Sequence, residues 1–111
     1  MCIRDRHCIN KTIELSNIDP KEIQLINGHF TGTKADPLEV KNWKDTFDAF
    51  GLELPKLQAS KSLFGHTLGA AGPVEICAVL NQMEHGYIKV NINCQDIHLS
   101  LIHISEPTRP Y

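Results

Sequence analysis

The chain has 111 residues, 41% of them hydrophobic and 6% aromatic, enough for one domain with a thin core. Its formal net charge of -2, with no Lys/Arg cluster interleaved with aromatics, argues against nucleic acid or an anionic membrane surface as partner. No apolar run is long enough to span a bilayer and the N-terminus lacks the apolar core of a signal peptide, so the expected setting is cytoplasmic, without membrane insertion.

The first residues, Met1-Cys2-Ile3-Arg4-Asp5-Arg6, carry no structural pattern. They read as the translation of ATG TGT ATA AGA GAC AGN, which resembles the mosaic end of transposase-based sequencing libraries. Residues 99–109 translate the reverse complement of that end, followed by adaptor. Residues 1–6 and 99–111 are therefore expected to be adaptor-derived artefacts, and 7–98 the protein proper, a piece of a longer gene. Without Arg4, Arg6, Arg109, Asp5 and Glu106, the 11 basic and 13 acidic residues fall to 8 and 11, a net charge of -3.

From His7 to Asn17 the apolar positions fit a helical face loosely, as at the end of a helix, and Asn17-Ile18-Asp19-Pro20 reads as a turn. Ile23 to Asn27 is a short β-branched run that suits a buried strand. It leads into Gly28-His29-Phe30-Thr31-Gly32-Thr33, a loop with one imidazole and two hydroxyls at a strand's carboxyl end, where α/β sheets bind ligands. Asp36-Pro37-Leu38-Glu39 predicts a helix start with Asp36 as N-cap, Pro37 at the first helical position and Glu39 reaching back as in a capping box. Val40, Trp43, Phe47 and Phe50 then form one apolar stripe, closed by Gly51.

Leu54-Pro55-Lys56 is a linker, and Leu57 to Ser60 a second short strand. It opens into Lys61 to Gly72, Lys-Ser-Leu-Phe-Gly-His-Thr-Leu-Gly-Ala-Ala-Gly, which packs a cation, a histidine and many small residues into one loop. That composition lets a backbone approach a reacting centre. From Pro73 to His85 apolar residues surround much of the circumference, as in a helix buried on several sides. Gly86 ends it, with His85 facing the C-terminal carbonyls. Tyr87 to Asn93 reads as a third strand. Cys2, Cys8, Cys77 and Cys94 include no closely spaced pair and are expected to be free thiols, Cys77 being a buried structural one. The order strand, helix, strand, helix, strand is that of an α/β domain.

With His29 and the 61–72 stretch both in view, the sequence resembles the C-terminal half of β-ketoacyl-acyl-carrier-protein synthases, condensing enzymes of fatty acid and polyketide synthesis. The second motif, Lys-Ser-x-x-Gly-His-x-x-Gly-Ala-Ala-Gly followed by Val74-Glu75, is long and specific. The first, family form His-Gly-Thr-x-Thr before an Asp and a Glu, is less well kept: Phe30 stands where glycine is usual, and the interval from His29 to Asp36 is one residue shorter. The resemblance implies a partial thiolase-like fold and a decarboxylative condensation of an acyl thioester with a malonyl thioester. It assigns His29, His66 and Lys61 to the catalytic set, Lys61 through an ion pair with Glu75. Gly65, Gly69 and Gly72 would support close packing that side chains would obstruct, and Thr31 and Thr33 would contact the phosphopantetheine arm. Substrates would arrive on acyl carrier protein, with no separate cofactor and no metal, and the intact parent would be a homodimer. The nucleophilic cysteine of the family lies upstream of the matching region, so the chain alone is expected to be inactive. The alternative is a non-catalytic, chain-length-factor type subunit of a heterodimer.

Overall fold

A computed structural model describes residues 2–89 and 91. Helix α1 spans Cys2–Ser16, strand β1 Leu25–Asn27, helix α2 Asp36–Ala49, strand β2 Lys56–Gln58, helix α3 Lys61–Phe64 and helix α4 Ala71–His85. Single 3-10 turns occupy Pro20–Glu22 and Leu68–Ala70. The two strands are parallel, with Leu25 opposite Lys56, Ile26 opposite Leu57 and Asn27 opposite Gln58. Parallel neighbours need a long crossover, and α2 supplies it. The chain is thus a mixed α/β fragment built on a βαβ unit, as the resemblance implies.

The predicted turn after α1 is real and has a local cause. Asn17 takes a left-handed conformation (φ 53°), which asparagine tolerates, and Asp19 accepts the N–H of Lys21 at 3.1 Å. Helix α1 runs without a break through residues 2–6. It is tied to α2 by an Asn42 side-chain bond to Asp5 at 3.3 Å and an Arg6–Asp45 ion pair at 3.7 Å.

The core is Ile26, Val40, Phe47 and Leu57, with Ile23, Phe30, Trp43, Leu52 and Leu54 packed around it. Val40 and Phe47 are one α2 face meeting one face of each strand, which is why the stripe read from the sequence is buried. Phe50, the last member of that stripe, is instead 43% exposed. It lies past the last helical turn as the C-cap, where the face no longer overlies the sheet.

Two expectations are corrected here. Helix α4 is not buried on several sides: Ile76, Leu80 and Met83 are exposed, and Cys77 is an exposed thiol rather than a buried one. Apolar residues around a helix become core only where other elements cover them, and among the described residues none covers this face. The predicted third strand is not formed at 87–89 or 91, and its remaining residues lie outside the described ones. In its place Asn91 serves the open edge of β2 with its side chain. Its amide accepts from Ala59 N–H at 2.8 Å and donates to the Leu57 carbonyl at 3.0 Å, the two bonds a neighbouring peptide would make.

Helix α4 ends as predicted. Gly86 adopts φ 66°, ψ 35°, and its N–H reaches back to the carbonyls of Gln82 and Met83. A Cβ there meets no neighbour, so Gly86→Ala adds only the left-handed backbone cost of about 1–2 kcal/mol. Chemical denaturation is expected to read that loss with an unchanged m-value.

Candidate active site

The two histidines predicted to act together are brought together. The rings of His29 and His66 lie 5.4 Å apart, centroid to centroid, edge to face at 84°. His29 follows β1 and His66 follows α3, so the parallel pairing of β1 and β2 is what makes neighbours of residues far apart in sequence. A buried polar bridge locks the ends of these strands together. The Asn27 side-chain oxygen accepts from Gln58 at 3.1 Å and from the Ser60 hydroxyl at 2.6 Å, two residues before His29 on one side and one before Lys61 on the other. The other oxygen of the bridge, Gln58 Oε1, is buried with no partner.

The His29 loop is held by two carboxylates from the first turn of α2. Glu39 accepts the backbone N–H of His29 at 2.7 Å and of Phe30 at 3.2 Å. Asp36 accepts from the N–H groups of Thr31 at 3.2 Å, Gly32 at 2.9 Å and Thr33 at 3.4 Å. This corrects the capping prediction. Ala35 occupies the N-cap position without a side-chain bond, Asp36 is the first helical residue, and Glu39 reaches the preceding loop rather than its own helix. A loop that folds back on a helix N-terminus offers unpaired N–H groups, and carboxylates favoured there by the helix dipole take them up. Thr31 and Thr33 turn their hydroxyls toward one another at 3.3 Å, and Thr33 also approaches Asp36.

In the second motif, Lys61 and Glu75 form a close, largely buried ion pair from the start of α3 to the second turn of α4. It closes the segment that carries His66. Gly65 is required by its backbone, φ 79° with ψ 179°, a region open to little else. At Gly65, Gly69 and Gly72 a Cβ would meet nothing within 4 Å, contrary to the expected collisions, because this loop is exposed and no described residue packs on it.

His66 has a defined hydrogen-bonding state. The N–H of Leu68 donates to its Nδ1 at 3.1 Å, so Nδ1 is an acceptor and the ring proton of the neutral imidazole lies on Nε2. Leu68 reaches that position with φ 51°, a strained conformation for a leucine, and its side chain is exposed. Lys89 lies behind the motif, its ammonium donating to the Ala59 carbonyl at 2.6 Å, and burial pushes it below the ordinary lysine range. A cavity of about 650 Å³ opens between α1, β1 and α2, lined by Ile9, Ile13, Trp43 and Phe47 and reaching His29 and Thr31. Asn27, Ser60 and Asn91 support the site without having been singled out for it, and Asp36 and Glu39, read from the sequence as helix caps and as the acids of the first motif, hold the His29 loop. The acidic pair at a helix start is the one local signal that pointed near it.

The βαβ unit thus sets two imidazoles edge to face at the ends of its two motifs, with the Nδ1 of His66 accepting a backbone N–H. The family described as "Beta-ketoacyl synthase, C-terminal domain" matches residues 3–95, and the chain belongs to it. It is similar to a chloroplastic 3-oxoacyl-acyl-carrier-protein synthase II of Arabidopsis thaliana, 35% identical over 91 residues, covering 80% of this chain and 16% of that protein. It is also similar to 3-oxoacyl-acyl-carrier-protein synthase 1 of Escherichia coli strain K12, 36% identical over 75 residues, covering 68% and 18%. An oxytetracycline polyketide putative beta-ketoacyl synthase 1 of Streptomyces rimosus is 28% identical over 89 residues, covering 79% and 21%. The chain thus spans about a fifth or less of these relatives' length. No solved structure matches it significantly.

Proposed function

We propose that the chain is part of a 3-oxoacyl-acyl-carrier-protein synthase, joining an acyl thioester to malonyl-acyl carrier protein in fatty acid or polyketide synthesis. The observation that carries this is the edge-to-face pair of His29 and His66 with His66 Nδ1 already occupied by Leu68 N–H. A neutral imidazole so held presents Nε2–H as a donor.

In the proposed step the malonyl carbon–carbon bond breaks, carbon dioxide leaves, and the electron pair moves onto the thioester oxygen as an enolate. His66, with His29 beside it, donates to that oxygen. The enolate carbon then attacks an acyl thioester on a cysteine in another part of the protein, forming the new carbon–carbon bond and releasing the thiolate. Lys61 and Glu75 act by holding the His66 loop, and Thr31 and Thr33 form the side facing the phosphopantetheine arm. We take acyl carrier protein as the partner, a homodimer as the intact assembly, and the cytoplasm as its setting. Among the described residues no helix is long and apolar enough to cross a membrane. The reading covers residues 7–98, and sequencing the gene across both ends tests whether 1–6 and 99–111 are adaptor translation.

The test is malonyl decarboxylation by the full-length protein carrying this segment. His66→Ala is expected to lower the rate about 100- to 1,000-fold, the usual loss for one oxyanion donor. An unchanged rate, or a parent gene with no cysteine at the nucleophile position, would overturn the reading.

A further inference from the structure

We propose that Phe30 is the positioning residue for His29, setting it by folding its ring back over Gly28, and that position 28 is glycine because the ring occupies the space of a side chain. A Cβ built on Gly28 would lie 2.1 Å from Phe30 Cε2, 2.5 Å from Cδ2 and 2.7 Å from Cζ. Real Cβ atoms do not approach that closely, and a ring edge wedged against the core is not the free end of a flexible chain. Gly28 has no left-handed φ, so the need for glycine here is one of space, not backbone.

The arrangement places His29 between two inward residues. Gly28 is buried, Phe30 is half-buried against the core of Ile26, Val40, Phe47 and Leu57, and His29 between them is exposed beside His66. The loop backbone is then clamped on two sides. Glu39 holds the N–H groups of His29 and Phe30, and the Phe30 ring holds the residue before His29 from the core. A hydrogen-bonded carboxylate alone leaves the peptide free to pivot about its oxygens. The ring removes that freedom.

The Phe30 ring fills the space over residue 28, so the two positions form one packing unit. They are predicted to be strongly non-additive, since residues in direct contact couple and distant ones do not.

The test uses the 111-residue chain and the variants Gly28→Ala, Phe30→Gly, Phe30→Tyr and the double Gly28→Ala/Phe30→Gly. Thermal unfolding reads packing, and an NOE between the His29 and His66 rings reads positioning. Gly28→Ala is expected to lower the midpoint by roughly 5–20 °C with Phe30 present, from the overpacking cost, and by about nothing in the Phe30→Gly background. The inter-ring NOE is expected in the unsubstituted chain and in Phe30→Tyr, and lost in Gly28→Ala and Phe30→Gly.

If Gly28→Ala does not fold, recovery of folding in the double variant relative to it supports the proposal. Equal effects of Gly28→Ala in both backgrounds, or an NOE that survives Phe30→Gly, overturn it. The inference rests on the proposed role of His29 only for its consequence in catalysis. Its readouts are packing and ring proximity, so they pass or fail independently of decarboxylation.

Discussion

Glu75→Ala is expected to destabilise the chain by about 3–5 kcal/mol, the cost of leaving one member of a buried ion pair behind. The side chains of Lys61 and Glu75 are only 7% and 15% exposed, so the orphaned ammonium has little water to turn to. Attraction within such a pair roughly offsets the desolvation of both charges, so the pair adds little net stability while the loss of half of it is severe. Against a typical total of about 5–15 kcal/mol for a domain, that loss is a large fraction. Urea denaturation measures it. The exposed Lys41–Asp45 pair is the control: Lys41→Ala leaves the midpoint essentially unchanged, because water already solvates both groups. Glu75→Ala should also release the segment from Lys61 to Glu75, broadening the His66 ring signals in NMR. A Glu75→Ala chain as stable as the unsubstituted one would show that the pair is not closed in solution.

Phe47→Ala is the second large effect, about 3–5 kcal/mol, from lost burial plus the cavity left between two elements that cannot both move in. Phe47 is 1% exposed and contacts the core from α2, so its removal opens the joint between the crossover helix and both strands. The consequence reaches the site, because β1 delivers His29 and β2 delivers Lys61. Phe50→Ala, three residues on in the same stripe, should cost far less, since that ring is 43% exposed. Equal losses for the two variants would mean that the α2 face extends over Phe50 in solution.

That contrast marks how far the sequence could be read. Spacing identified α2, its proline start and its apolar stripe, because periodicity of apolar residues along a helix is a local property. It also identified the His29 loop as a loop at a strand end, while the 61–72 stretch, read as one loop, contains helix α3, a 3-10 turn and the start of α4; the second motif was nonetheless long enough to carry the family. Spacing could not separate Phe47 from Phe50, since burial depends on where the partner sheet stops. The same limit accounts for α4, whose apolar circumference looked like core while its Cys77, Ile76, Leu80 and Met83 are exposed.

What the sequence alone determined is which side chains the two motifs carry: His29, Lys61, His66 and Glu75, with acids at the start of α2 and glycine at position 65. What only the tertiary structure decided is what those groups bond to. Asp36 and Glu39 look like capping residues of their own helix, yet their acceptor oxygens take five N–H groups of the His29 loop, because the loop folds back over the helix start. The tautomer of His66 depends on a strained Leu68 peptide, and the place of Phe30 on the space above Gly28. Hydrogen bonds and steric fit are set by positions in space, and these are fixed only when β1, α2 and β2 have come together.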